Sequence, residues 1–108
     1  MPDSQWSSVE QEIAHQLLAK AYQRETTALM SEVREQANNI TEISQIWALH
    51  DYLSTKRYDI DGKYDERDTA PFFTLAKLVK QGWLDLDELA GLSPDKKAKV
   101  SALTKMQQ

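Results

Sequence analysis

The residues best equipped for chemistry are Trp47, His50, Asp51, Ser54, Arg57 and Tyr58, spaced i, i+3, i+4, i+7, i+10, i+11 near the middle of the chain. On a helix from about Thr41 to Ile60 they form one stripe. An imidazole beside a carboxylate suggests a general base and the acid that orients it. The spacing argues against that pairing, because successive residues on a helix point about 100° apart and leave Asp51 poorly placed to orient His50. Arg57 lies six residues beyond Asp51, so the two should not pair within one helix, although Asp51 could reach an Arg of a neighbouring copy. The stripe is better suited to gripping another protein. Trp and Arg combine contact area with a polar handle and are enriched at binding hot spots. The competing reading is a core Trp next to ordinary surface charges.

Other site chemistries find no footing. Asp59-Ile60-Asp61-Gly62 hints at a calcium loop, but placing Gly62 at loop position six puts Arg57 at position one, where an acid is needed. The two histidines, His15 and His50, are far apart and there is no Cys, so a zinc site and a thiol nucleophile are not expected. No Gly-rich phosphate loop and no G-x-S-x-G elbow occurs. No catalytic residue, cofactor or metal is therefore expected.

The elements that must position the stripe follow from the breakers. The chain has 108 residues, with only three Gly and three Pro, which favours long helices in one domain of modest core. Ser7 or Ser8, with Glu10 or Gln11 three residues on, should cap a first helix that nothing breaks before Asn38. Ile13, Leu17, Leu18, Ala21, Tyr22, Leu29, Val33 and Ile40 recur along it mostly in steps of 3, 4 or 7, a weak coiled-coil-like seam. So long a helix cannot bury its face alone, and homodimerisation is the economical expectation. Asn38 and Asn39 mark a joint, with Glu42 expected as a capping partner.

In the central helix Ile46, Leu49, Leu53, Ile60 and Tyr64 should form the core face, and Gly62 should end or bend it. Asp68 and Thr69 should cap a strongly apolar third helix with Pro71 in its first turn and Gly82 at its end. Asp85 with Glu88 should open a short turn that stops at Gly91, and Ser93-Pro94 should start a last helix with Val100 and Leu103 inward. No period-2 run predicts a strand. The expectation is an all-α fold: a flexible N-terminus over 1–7, long N-terminal and central helices forming a homodimer over 8–67, and a small C-terminal helical cap over 68–108.

Charge and hydropathy narrow the function classes. The net charge of −4 argues against general nucleic-acid binding. The longest apolar run, Ile46 to Leu49, is too short to span a membrane, and the first ten residues do not resemble a secretory signal. Lys96, Lys97, Lys99 and Lys105 stand against Asp95 alone near the C-terminus. They suit either an acidic partner or the dipole of a last helix.

Two runs carry a family resemblance. They are Lys20-Ala21-Tyr22-Gln23-Arg24-Glu25 and the longer Trp47-x-Leu49-His50-Asp51-Tyr52-Leu53-x-x-Lys56-Arg57-x-x-Ile60-Asp61-Gly62-Lys63-Tyr64-Asp65-x-Arg67. The chain resembles the fluorescence recovery proteins of cyanobacteria over about residues 12–103, departing at Thr69-Ala70-Pro71, where that family carries a more apolar stretch. The resemblance implies a non-enzymatic homodimer that binds the C-terminal domain of the orange carotenoid protein. It implies faster return of that photoreceptor from its red to its orange form and its release from the phycobilisome, in the cytoplasm beside the thylakoid membrane. It places the functional surface on Trp47, His50, Asp51 and Arg57, with Phe73 and Lys99 of the cap near the partner. A helical homodimeric adaptor for some other protein, or a small His-Asp enzyme, remain the rivals.

Overall fold

A computed structural model describes residues 6–65 and 71–106. Four α-helices and one 3-10 turn make up the regular structure, and no strand occurs among the described residues. Helix α1 spans Ser8–Asn38, α2 Ile43–Lys63, α3 Phe72–Lys80 and α4 Pro94–Met106, with the 3-10 turn at Leu86–Leu89. The molecule is elongated, 57 × 24 × 21 Å.

Local chemistry sets the ends of these elements. Ser7 caps α1 reciprocally: its hydroxyl accepts from the Glu10 N–H and the Glu10 carboxylate accepts from the Ser7 N–H, both at 3.1 Å. The joint at 38–42 is where expected, but Glu42 plays a different part. It is itself the N-cap residue of α2, and the Gln45 side chain accepts from its N–H at 2.9 Å and from that of Thr41 at 2.7 Å. Gly62 does not itself end α2, which runs one residue past it to Lys63 and is capped by Tyr64. Among the described residues, Pro71 immediately precedes α3; Asp68 and Thr69 lie outside them.

Helix α3 closes as its sequence predicts. Gly82 takes φ +86°, its N–H donates to the Val79 carbonyl at 3.1 Å, and the Trp83 N–H reaches the Leu78 carbonyl at 2.9 Å. That pair of bonds satisfies the last carbonyls of the helix and turns the chain back. Asp85 and Glu88 form the expected capping pair, with the Asp85 N–H at 2.9 Å from the Glu88 carboxylate.

The core lies at one end. Ala14, Leu17, Leu18 and Ala21 from α1 pack with Phe72, Leu75, Ala76 and Leu78 from α3, with Leu84, Leu89 and Leu92, and with Val100 from α4. The cap therefore sits on the first half of α1. Trp6, expected in a loose end, is buried with its ring edge-on to Phe72 at 5.0 Å, so the packed structure already includes residue 6. Truncating Leu75 or Leu78, both fully buried, should cost about 2–5 kcal/mol.

Beyond the cap, α1 and α2 form an antiparallel hairpin. Tyr52 donates to Glu32 at 2.8 Å, and the Tyr22 and Tyr64 rings meet edge-on at 5.2 Å. Among the described residues 26–59 none is buried, so the outer half of the hairpin has no core of its own. The expected core face of α2 is graded accordingly: Ile60 is buried, Leu49, Leu53 and Tyr64 are half-buried, and Ile46 is exposed.

Candidate functional site

Helix α2 divides its residues between two sides. Tyr52, Lys56 and Lys63 reach carboxylates of α1, which defines the inward side. At about 100° per residue, Trp47, His50, Asp51, Ser54, Arg57 and Tyr58 fall on the opposite side, with Ile43 among them. All seven are exposed. Trp47 keeps 59% of its surface accessible, and the Arg57 side chain keeps 86%. The indole is thus not a core residue of its own subunit.

The polar groups of this stripe pair within their own helix. His50 Nδ1 lies 3.3 Å from Asp51 Oδ1, a contact that the sequence spacing argues against. Full exposure leaves both side chains free to choose rotamers that bring neighbouring residues together despite their diverging Cα–Cβ directions. Arg57 does not pair with Asp51, as expected, and its Nε sits 3.7 Å from Asp61 one turn on. Exposed pairs like these are worth at most about 1 kcal/mol, so the groups are available to a visitor at little cost.

The cap supplies the two remaining candidates. Phe73 is 68% exposed while its neighbour Phe72 is buried, so Phe73 is not core. The Lys99 ammonium stands 4.5 Å from the centre of the Phe72 ring, a cation–π contact that lays the lysine stem over the core edge. Phe73, Thr74 and Lys77 of α3 and Thr55, Tyr58, Asp59 and Asp61 of α2 line one open groove of about 890 Å³. Phe73 and Tyr58, from different helices, thus share one concave surface. Lys99 does not line it, and neither do Trp47, His50, Asp51 or Arg57.

A polar cluster that the sequence reading does not single out holds α2 to the rest. Glu25 of α1 is 1% exposed. Lys63 Nζ lies 2.8 Å from it, the Tyr64 hydroxyl donates to it at 2.7 Å, and Lys56 Nζ is 3.4 Å away. Burial alone would push the Glu25 carboxyl up, but the Lys63 and Tyr64 hydrogen bonds and the Lys63 charge outweigh it and hold the group below its usual value. Burial, followed by the bond to Glu25, raises the Tyr64 phenol. One signal is present in the sequence: Glu25 falls four residues after Ala21 and seven after Leu18, inside the apolar stripe of α1.

Among the described residues no group of His, Asp or Glu is arranged to hold a metal ion, and no helix is long and apolar enough to cross a membrane. Comparison with known proteins identifies the chain's relatives. The family described as photoprotection regulator fluorescence recovery protein matches residues 6–104. The chain belongs to this family. A fluorescence recovery protein from Synechocystis sp. is 45% identical over 104 residues, which is 96% of this chain and 95% of that protein. The solved structure of the Synechocystis protein superposes with a TM-score of 0.87 at 46% identity, covering 94% of this chain and 99% of that one. The Fremyella diplosiphon fluorescence recovery protein gives a TM-score of 0.89 at 50% identity, covering 94% and 100%. The all-helical architecture and the family membership thus agree.

Proposed function

We propose that this member of the family is a non-enzymatic regulator that binds the C-terminal domain of the photoactivated orange carotenoid protein. It speeds the red-to-orange reversion and the detachment from the phycobilisome, and so restores antenna fluorescence in the cytoplasm at the thylakoid surface. The carrying observation is the outer face of α2, where a Trp, a His, an Asp and an Arg stand exposed together on one rigid helix. Trp47, His50, Asp51 and Arg57 are the proposed contacts, with Phe73 and Lys99 of the cap as secondary ones.

The protein acts as a homodimer in this reading. The hairpin beyond the cap has no buried residue of its own among the described residues 26–59, and Met30, Ile43 and Ile46 are exposed along it. A second copy would cover these side chains and present the stripe twice.

Acceleration requires that the barrier-top arrangement of the partner be bound better than its red form, and each ~1.4 kcal/mol of preference is tenfold in rate. Two or three aromatic and arginine anchors worth about 2 kcal/mol each would supply a large acceleration. The test is to photoconvert carotenoid protein, add this protein in the dark and follow the red-to-orange decay. A decay many times faster than that of carotenoid protein alone is expected. An unchanged decay would overturn the proposal and favour an adaptor for a different partner.

A further inference from the structure

The attachment of α2 differs in kind from that of the cap. Aliphatic side chains seal the cap onto α1, whereas α2 buries only Ile60 and Lys63. Lys63 is held by ions and hydrogen bonds. Its ammonium meets Glu25 of α1 and also donates, at 2.8 Å, to the side chain of Gln81, the residue that caps the C-terminus of α3. One carboxylate thus gathers the end of α2 and, through Lys63, the end of α3.

We infer that the Glu25 cluster is a latch: it fixes residues 56–64 of α2 on the body formed by α1 and the cap, and its loss frees that segment while the body stays folded. Among the described residues, Lys63 and Lys56 have no other buried counter-charge once the Glu25 charge is gone. Among the described residues, the other charged and titratable groups facing the site include Asp59 on α2, 4.0 Å from Lys63 and itself half open to water, together with Tyr64, Tyr52 and, on α1, Tyr22. An ammonium stranded in this way regains its hydration only by moving outward. The segment carrying it can do so by unwinding from the C-terminal end of α2, beyond the Tyr52–Glu32 bond that ties the helix to α1. The apolar core need not follow, because Ile60 is not part of it and Tyr64 only packs against it from outside. The latch thereby sets the distance between the stripe of α2 and Phe73 on α3.

The full chain tests this by amide hydrogen exchange at neutral pH, with no partner protein present. In Glu25→Gln the amides of residues 56–64 are expected to lose at least tenfold in protection, and those of Leu75, Leu78 and Val100 are expected to keep theirs. Tyr64→Phe removes a single donor and should give the same pattern with a smaller loss, which decides the matter if Glu25→Gln does not fold. Unchanged protection at 56–64, or an equal loss throughout the cap, would overturn the latch.

Discussion

At the scale of single residues, exposure separates the groups proposed to bind a partner from those that hold the fold. The Arg57 side chain is 86% exposed and its ion pair is with Asp61 of its own helix, so its removal should leave the fold intact. Arg57→Leu is expected to slow the assisted red-to-orange decay by roughly tenfold or more, the loss of one hot-spot anchor. Its helical circular dichroism should match that of the parent. Equal decay rates for the two proteins would remove Arg57 from the functional surface. Two carboxylates do the opposite kind of work. Arg24 donates to both oxygens of Glu88 at 2.8 and 2.9 Å, and this bond, with the backbone N–H of Asp85, holds the Glu88 carboxyl down at about 2. Glu10 is also held at about 2 by the N–H groups of Ser7 and Ser93 and by Lys96. A lowered carboxyl contributes stability above its ordinary value near 4.5 and loses that contribution as pH falls through its folded value. The melting temperature should therefore be flat near neutrality and fall between about pH 4.5 and 2. Glu88→Gln should lower the plateau and flatten the fall; a profile indistinguishable from wild type would mean the Arg24–Glu88 clamp adds nothing.

At the scale of elements, two glycines make opposite predictions. Gly82 sits at φ +86° past the end of α3, where a side chain is strained even though open space surrounds it. Gly82→Ala should lower stability by about 1 kcal/mol or somewhat more. Gly62 lies inside α2, and nothing stands within 4 Å of the place a methyl group would take, so Gly62→Ala should raise stability by up to about 1 kcal/mol. Chemical denaturation of both variants checks the signs. The pair also marks how far local sequence carries. Gly82 is legible because Trp83 and Leu84 follow it to close over a strongly apolar helix, so chain order and local chemistry agree. Gly62 misleads because a glycine lowers helix propensity by only about 1 kcal/mol, and Lys63 beyond it gains the Glu25 carboxylate. The capping pairs Ser7–Glu10 and Asp85–Glu88 are legible for the same local reason as Gly82. The place of Glu25 in the apolar stripe of α1 is legible, but its partners lie 38 and 39 positions away, which no local pattern can announce. Trp6 hides its burial because its partner, Phe72, is more remote still. Periodicity reveals the stripe on α2, and its exposure follows only from which side of the helix meets α1.

At the scale of the whole molecule, the core is unequally distributed, which is the ground for the proposed dimer. The cap end holds the apolar core, while the described residues 26–59 bury no side chain at all. An isolated two-helix hairpin of that length gains too little from propensity and exposed ion pairs to stay ordered, since helix stability in proteins comes mainly from packing an apolar face. The apolar residues are present: Met30, Ile43 and Ile46 are exposed, and Leu29, Val33, Ile40, Leu49 and Leu53 are half-covered. In the dimer proposed above they become a shared core, so light scattering should report twice the 12.4 kDa chain mass at micromolar concentration. The melting temperature should rise with concentration, because a partner that binds only the folded chain stabilises it by mass action. Ile46→Glu places a charge on that seam at a position open to water in the single chain, so it penalises the dimer without breaking the packing of the cap. Its expected mass is that of one chain, with ellipticity reduced in the hairpin and the melting temperature independent of concentration. A wild-type protein that runs as one chain with full helicity would show that the hairpin stands without a second copy.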